Sequence, residues 1–193
     1  MKINQLHAWN VPIHEAIQIQ HELALRVQEL PPLSLAKIEY IAGVDVSITP
    51  FQPLLTGAVI IYRADTFEIV ETAFAQMSAP FPYIPGLLSF REIPVLLEAF
   101  AKIQAVPDVV MVDGQGRAHP RRLGIASHLG LFLDVPTIGV GKSPLVGGRP
   151  PIGDEPGASV ALMDNDEQVG MVVRTKKRAN PLYLSVGHKL DLD

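Results

Sequence analysis

The sequence predicts an α/β fold in which a mixed central sheet is flanked by helices. Three strand-like segments with short turns between them, Tyr40–Ser47, Leu54–Tyr62 and Phe67–Ala75, are typical of an antiparallel meander. A buried strand, a helix and a second buried strand follow within residues 109–140, which is typical of a crossover between parallel strands. With 193 residues, 48% of them hydrophobic and 19% charged, the chain is long enough for one globular domain, which we place at residues 1–193.

Composition limits the classes of function. The formal net charge of −4 argues mildly against broad, nonspecific nucleic-acid binding, but it is compatible with a local basic groove. No apolar run approaches the roughly 20 residues of a membrane helix, and the start M-K-I-N-Q-L-H lacks the apolar stretch of a secretory signal. The chain has no cysteine, which excludes disulfides and thiolate ligands. We therefore expect a cytoplasmic, monomeric protein without membrane contact.

Two amphipathic helices are predicted before the crossover. Pro12 fits the first turn of a helix, and apolar residues then recur at three- and four-residue spacing up to Leu30, just before Pro31. A second helix is predicted over residues 91–103, and its apolar stripe includes Glu92. A carboxylate on an apolar stripe points toward the domain interior, so this residue is a candidate for chemistry.

Three carboxylates interrupt apolar segments on separate elements. Asp45 breaks an apolar strand, where a buried carboxylate needs either a structural hydrogen bond from a nearby turn or a cation. Glu92 either points inward from its helix or forms a capping box with Ser89. Asp113 ends a buried strand. Because parallel neighbours end at the same edge of a sheet, we expect Lys142, which follows the next strand, beside Asp113.

A proline-rich loop, S-A-P-F-P-Y-I-P-G, holds two aromatic side chains, Phe81 and Tyr83. Either both rings pack into the core, or the stiff loop presents Tyr83 as a wedge against nucleic-acid bases. Two cationic groups follow. We expect the first at a helix start that faces Asp113. The second is either a solvated loop or a basic surface. These groups are Arg117, His119, Arg121, Arg122 and His128, and then Arg174, Lys176, Lys177 and Arg178.

The three carboxylates favour a hard divalent cation. Without one, mutual repulsion raises at least one of their pKa values. Oxygen ligands prefer Mg²⁺ or Mn²⁺ to Zn²⁺, and such an ion activates water for displacement at phosphorus. No P-loop, dinucleotide fingerprint, zincin motif or serine-hydrolase elbow is present in the sequence. The residues therefore favour hydrolysis of a nucleic-acid phosphodiester.

Four motifs occur in order along the chain: I-A-G-V-D-V, F-P-Y-I-P-G-L-L-S-F-R-E, V-D-G-Q-G-R-A-H-P-R-R-L-G-I-A-S-H-L-G and P-T-I-G-V-G-K. Together they resemble the endonuclease V family, the deoxyinosine endonucleases, from the first helix to Gly187-His188. This resemblance implies a ribonuclease-H-like fold. It also implies Mg²⁺-dependent hydrolysis, with Mn²⁺ as a substitute, of the second phosphodiester 3′ to deoxyinosine or another deaminated base in DNA. The products implied are a 3′-hydroxyl and a 5′-phosphate.

Matched residue by residue, the resemblance implies three kinds of site. Asp45, Glu92 and Asp113 match the catalytic, metal-binding acidic residues, and Lys142 matches the catalytic lysine near the scissile phosphate. The other matches are Pro82, Tyr83, Ile84 and Pro85 in a strand-separating wedge, Gly86, Leu88, Gly124 and Ile125 around the hypoxanthine pocket, and His119 near the DNA backbone.

The sequence departs from the family pattern at its end. Family members usually continue through a further helix to a histidine that supports the metal site, whereas the present sequence stops at Asp193. His188 belongs to the earlier G-H motif and does not replace that histidine. Gly141 also stands where an alanine is common. Two alternatives therefore stay open: a domain that binds inosine-containing nucleic acid with weak or no catalysis, and an inosine-specific ribonuclease.

Overall fold

The computed structural model describes residues 2–30, 34–48 and 54–192. Within this part of the chain, helices and strands alternate as an α/β protein, and a short 3₁₀ turn precedes the first strand. The helices are α1 Ile13–Ala24, α2 Leu88–Phe100 and α3 Ile125–Leu133. The strands are β1 Tyr40–Ile48, β2 Leu54–Arg63, β3 Ile69–Ser78, β4 Val109–Asp113, β5 Thr137–Gly141, β6 Ser159–Asp164, β7 Glu167–Val173 and β8 Leu182–His188.

The strands form one mixed sheet in the order β3-β2-β1-β4-β5-β8-β7-β6. Strands β1 to β3 pair as the predicted antiparallel meander. Strand β4 lies between β1 and β5 and is parallel to both. Strands β5 to β8 continue antiparallel to the far edge. The predicted mixed sheet and the parallel pairing around Asp113 are therefore confirmed.

The first helix is shorter than its periodicity indicates. Helix α1 ends at Ala24, not at Leu30, and the segment after it runs along the end of β8. There the backbone N–H of Gln28 donates to Nδ1 of His188 over 3.2 Å, and the backbone N–H of Lys189 donates to the Gln28 carbonyl over 2.7 Å. These contacts to a strand distant in sequence replace the helical hydrogen bonds.

The helix expected at His119 begins later. Arg122 has φ 54°, a left-handed conformation that an α-helix does not contain, and α3 starts only after Gly124. The N–H of Gly124 donates to the Gly116 carbonyl over 2.9 Å, which closes the intervening segment as a loop. Helix α3 packs closely on the sheet at Gly130, because a Cβ there would lie 2.5 Å from Oγ1 of Thr137.

The second helix and the third strand also shift. Helix α2 begins at Leu88 instead of residue 91 and contains Pro94 within it. Strand β3 starts two residues after Phe67, whose φ of 56° belongs to the turn that precedes the strand. Both shifts are changes of boundary, and the predicted kinds of element are confirmed.

The main core lies between the sheet and helices α2 and α3. Ala42 and Val44 are buried on one face of β1, whereas Asp45 on the other face is exposed. Burying a phenylalanine side chain stabilises a fold by about 2–3 kcal/mol, and Phe90, Phe100 and Phe132 are fully buried. This core fixes α2, and with it Glu92, over the meander.

The opposite face of the sheet carries an apolar groove of about 490 Å³. Val109, Ile138 and Val186 form part of its wall, together with Leu190 and Leu192. None of the predicted site residues lines this groove, so the chemistry belongs elsewhere. In the described part of the chain, no helix has both the length and the apolar character needed to cross a membrane.

The contact between α3 and β5 gives a stability test. In Gly130→Ala the new methyl group meets Oγ1 of Thr137 at 2.5 Å and Cβ of His188 at 2.6 Å. We expect overpacking to outweigh the gain in helix propensity, for a net loss of about 1–2 kcal/mol. Thermal unfolding should show Tm lower by roughly 2–8 °C. Gly153→Ala is the control, because its methyl group meets Ala158 at 3.4 Å, and an unchanged Tm in both variants contradicts the packing.

Candidate active site

Parallel pairing brings Asp113 and Lys142 together. Asp113 is the last residue of β4 and stands opposite Val140 of β5, so Lys142 emerges just beyond the neighbouring strand end. The Lys142 Nζ donates a hydrogen bond to Oδ2 of Asp113, which is the predicted juxtaposition. The Lys142 side chain is 76% exposed and that of Asp113 is 33% exposed. The hydrogen bond and charge of Asp113, followed by the charge of Asp45, raise the pKa of Lys142, so the lysine is a cation at neutral pH.

The other two carboxylates have different environments. Asp45 is exposed and its Oδ1 accepts the backbone N–H of Val46 over 2.9 Å, so the expectation of a buried aspartate is wrong. Glu92 is half-buried. Burial first, and then the nearby charges of Asp45 and Asp113, raise the pKa of Glu92 to about 7, while the charge of Arg91 opposes this shift. The pKa of Glu92 therefore responds to the charges of both aspartates. Part of the free-energy cost of bringing three carboxylates together is expressed in this raised pKa.

The capping-box alternative for Glu92 is wrong. Leu87 occupies the cap position of α2, and no side chain caps the helix. The Ser89 hydroxyl instead lies 3.0 Å from Nδ1 of His128, which is completely buried. The inward position of Glu92 therefore follows from helical phase alone.

The carboxylates of Asp45, Glu92 and Asp113 suit a hard cation, because they are negatively charged and offer oxygen atoms. The raised pKa of Glu92 reflects burial first and then the negative charges of Asp45 and Asp113, which a divalent ion would neutralise. As the side chains stand, however, no three acidic or histidine side chains within residues 2–30, 34–48 and 54–192 converge as a metal-binding group. The two aspartates point to protein partners, the Val46 N–H and the Lys142 ammonium.

A cleft of about 290 Å³ extends from Asp113 and Lys142 to the proline-rich loop. Ten of the residues singled out from the sequence line it. Asp45, Glu92 and Pro82 do not line it. The lining members of the predicted set are Tyr83, Ile84, Pro85, Gly86, Leu88, Asp113, His119, Gly124, Ile125 and Lys142.

The two aromatic residues of the loop differ in burial. Phe81 is 4% exposed and packs on Phe90, whereas Tyr83 is 68% exposed. Nη1 of Arg91 donates to the Phe81 carbonyl over 2.9 Å, which ties the base of the loop to α2. The interpretation that both rings pack into the core is therefore confirmed for Phe81 and wrong for Tyr83.

The first cationic group does not form an open basic surface. Arg117 and Arg122 both pair with Glu167. Arg122 also pairs with Asp164 over 2.8 Å. His128 is fully buried, and burial lowers its pKa well below the ordinary value. The carboxylate partners lie on β6 and β7, far away in sequence, so the cationic spacing alone gave no sign of this neutralisation.

The second cationic group is mostly exposed. Lys176, Lys177 and Arg178 are exposed, and Arg174 is half-buried. Nζ of Lys177 lies 2.9 Å from a Glu155 oxygen. The solvated-loop interpretation is the one that this arrangement favours.

Two glutamines were missed by the sequence reasoning. Gln20 is 1% exposed and lines the cleft; its place between buried Ala16 and Leu23 is the signal that was available. Gln115 also lines the cleft, where its Nε2 donates to the Ser143 carbonyl over 2.8 Å and its buried Oε1 has no partner. Nothing in the local pattern marks Gln115, since it lies in a loop.

Comparison with known proteins gives a consistent result. Residues 21–193 match the family model described as endonuclease V. Endonuclease V of Dehalococcoides mccartyi is 47% identical over 193 residues, which cover all of this chain and 86% of that protein. The crystal structure of endonuclease V from Bacillus subtilis superposes with a TM-score of 0.93 at 31% identity, covering 100% of this chain and 84% of that chain. An endonuclease V of Ciona intestinalis superposes with a TM-score of 0.81 at 26% identity, covering 93% of this chain and 84% of that chain. That structure is a complex with DNA containing an inosine followed by a ribo-adenosine.

The environment of Glu92 predicts a pH-dependent stability. Below pH 4.5, the ordinary pKa, the residue is protonated in both the folded and unfolded chains; as pH rises to about 7, only the unfolded chain ionises, and stability is lost. Above that window the penalty is about 3 kcal/mol. Glu92→Gln should therefore raise the free energy of unfolding at pH 8 in EDTA and leave it nearly unchanged at pH 4.

Urea unfolding at the two pH values measures this difference. Glu98→Gln is the matched control, because Glu98 is an exposed carboxylate on the same helix. Equal effects of Glu92→Gln at pH 4 and pH 8 would show that Glu92 does not carry the buried charge.

Proposed function

The chain belongs to the endonuclease V family, and we propose that it is a DNA-repair endonuclease that hydrolyses the second phosphodiester 3′ to deoxyinosine. Mg²⁺ is the proposed cofactor, and the products are a 3′-hydroxyl and a 5′-phosphate. One observation carries the proposal: the Lys142–Asp113 pair and the exposed Tyr83 ring line the same cleft. A phosphate-binding end and a base-facing end are thereby joined in one cavity.

The proposed Mg²⁺ would be held by Asp45, Glu92 and Asp113. Three carboxylates and one ammonium, that of Lys142, give a local charge of −3 + 1 = −2 when Glu92 is ionised, which one divalent ion balances. When bound, the ion supplies an activated water and neutralises charge that develops on the phosphate oxygens. Because Oδ2 of Asp113 accepts from Lys142, the ion would have to share this carboxylate with the lysine.

Lys142 is the residue proposed to face the scissile phosphate. Its exposed ammonium has hydrogens beyond the one given to Asp113, and these are available to a phosphate oxygen. Asp113 holds the lysine at the strand end, so the cation is in place before DNA arrives. A positioned donor of this kind stabilises negative charge on a leaving oxygen.

Tyr83 is proposed to fill the gap left by the extruded base. Its loop carries prolines on both sides, at Pro82 and Pro85, so the ring is presented with little backbone freedom. The neighbouring cleft wall is formed in part by Gly86 and Gly124, which have no side chain to keep a base edge away from the main chain. These features support recognition of a hypoxanthine base through main-chain groups.

An inosine-specific ribonuclease is the second candidate. It is favoured by the Ciona intestinalis structure, because the nucleic acid bound there contains a ribo-adenosine after the inosine. The same cleft and the same carboxylates serve both substrates. Matched duplexes with a deoxyribose or a ribose 3′ to the inosine distinguish the two, and faster cleavage of the ribose-containing duplex selects the ribonuclease.

Nicking of a deoxyinosine duplex tests the proposed activity. With Mg²⁺, we expect one nick at the second phosphodiester 3′ to deoxyinosine, and DNA ligase should reseal it because the ends are a 3′-hydroxyl and a 5′-phosphate. Asp113→Asn should slow nicking at least about 100-fold, since loss of a metal ligand exceeds loss of its supporting contacts. Asp65→Asn, at an exposed turn, is the control.

The outcomes of this assay separate the alternatives. Tight binding of the deoxyinosine duplex without cleavage in Mg²⁺ or Mn²⁺ selects the binding domain over the enzyme. Cleavage at equal rates with and without deoxyinosine contradicts base recognition.

Lys142→Met separates cleavage from metal binding. Nicking should fall by roughly 10²- to 10³-fold, as on loss of a transition-state donor. Mn²⁺ affinity, measured by calorimetry, should rise about fivefold, because the competing ammonium no longer occupies Asp113. Lys177→Met, which breaks an exposed pair with Glu155, is the control for charge. Weaker Mn²⁺ binding in Lys142→Met would contradict the competition between the two cations.

A further inference from the structure

The Gly86 carbonyl accepts three hydrogen bonds from side chains of two other segments. Nε2 of Gln20 donates over 3.0 Å, Nη2 of Arg121 over 2.7 Å, and Nε2 of His119 lies 3.1 Å away. Gln20 comes from α1, and the other two come from the loop after β4. We call Gln20, His119 and Arg121 the Gly86 clamp. A carbonyl oxygen has two lone pairs, so these three donors use its full capacity as an acceptor.

The protonation of the clamp follows from its partners. The backbone N–H of Arg121 donates to Nδ1 of His119 over 3.1 Å, so the ring hydrogen lies on Nε2 and points to Gly86. Nε of Arg121 donates to Oε1 of Gln20 over 2.5 Å, which leaves the Gln20 amide hydrogens for the carbonyls. Gln20 and His119 are 1% and 3% exposed. The clamp is therefore a closed network with one direction of donation.

The clamped carbonyl belongs to a tight turn that follows Tyr83 directly. The N–H of Leu87 donates to the Ile84 carbonyl over 2.9 Å, and Pro85 and Gly86 are the central residues. Gly86 has φ +79°, which with a proline before it is the signature of a type II turn. A Cβ on Gly86 would lie 2.8 Å from Nη2 of Arg121, so the clamp itself needs glycine here.

The clamp joins the two ends of the cleft. On one side the clamp donates hydrogen bonds to the turn that follows Tyr83. On the other side, His119 and Arg121 belong to the loop that leaves β4 at Asp113. The distance between the Tyr83 ring and the Asp113–Lys142 pair is then set by side chains that lie behind the cleft wall.

We propose that Gln20, His119 and Arg121 are positioning residues that fix the distance between the Tyr83 ring and the Asp113–Lys142 pair. The inference rests on the proposed function and deepens it. His119 acts here as a neutral donor to Gly86, and Gln20 and Arg121 acquire a role through Gly86. The consequence is that wedge insertion, and the choice of phosphodiester, depend on a glutamine in the first helix.

A fluorescence experiment tests the clamp. A duplex carries 2-aminopurine opposite deoxyinosine, and its emission rises when the pair is unstacked; titration in EDTA prevents cleavage. In Gln20→Leu the equilibrium constant for wedge insertion should fall about fivefold to tenfold, as on loss of a buried hydrogen bond, so the amplitude at saturating protein drops. Gln20→Glu should recover part of the amplitude, since it keeps the acceptor for Nε of Arg121.

Two controls separate positioning from stability. Gln18→Leu removes an exposed glutamine of the same helix, which bonds only Glu22 within the described contacts, and should behave as wild type. Arg121→Leu removes a second member of the clamp and should lower the amplitude in the same way if Gln20→Leu fails to fold. In Mg²⁺, both clamp variants should also nick at a neighbouring phosphodiester, a change that lower stability alone does not produce.

The results distinguish two failures. If the wild type gives no rise in emission with deoxyinosine DNA, the proposed function fails and the inference with it. If the wild type responds and folded Gln20→Leu and Arg121→Leu match it in amplitude and nick position, the proposed function stands and the clamp is overturned.

Discussion

The parallel pairing of β4 with β5 is the constraint on which the candidate site depends. It sets Asp113 opposite Val140, so that Lys142 reaches the same carboxylate. The loop after β4 must then fold back over β5, which leaves no room for side chains there: a Cβ on Gly139 would overlap the backbone of Gln115 and Gly116. The glycines of the motif are therefore explained by backbone packing around one strand end. The proposed chemistry and the close packing of the backbone therefore involve the same short part of the chain.

The electrostatics of the site follow from that geometry. Two aspartates and a half-buried glutamate repel one another, and only Lys142 among the described cleft-lining residues offers a full positive charge near them. The cost appears as the raised pKa of Glu92 and as the pairing of Asp113 with Lys142. Without a metal, the partial protonation of Glu92 at neutral pH and the pairing of Asp113 with Lys142 reduce the repulsion in this site. The proposed divalent ion would release both groups at once.

Local patterns predicted much of the fold and part of the site. The succession of strands and short turns predicted the antiparallel meander, and the strand–helix–strand succession predicted Lys142 beside Asp113. Neither pattern contains information about partners far away in sequence. The early end of α1 depends on His188, and the neutralisation of Arg122 depends on Asp164 and Glu167. Gln20 escaped notice for the same reason, because its hydrogen bonds reach Gly86 and Arg121 across the molecule.

The distribution of cations bears on how such a site would meet DNA. Arg117 and Arg122 are paired with carboxylates, and neutral His119 points to Gly86, so the cleft itself presents chiefly the Lys142 ammonium. Against three carboxylates, that single cation leaves the metal-free site repulsive to a phosphodiester, and the chain as a whole carries a net charge of −4. Under the proposed function, attraction for the backbone near the scissile bond would therefore come with the proposed divalent ion. The proposed Tyr83 wedge, which needs no charge, would then be able to engage a deaminated base before the ion is bound. Recognition and hydrolysis would then be separable steps, joined by the rigid link between Tyr83 and Asp113.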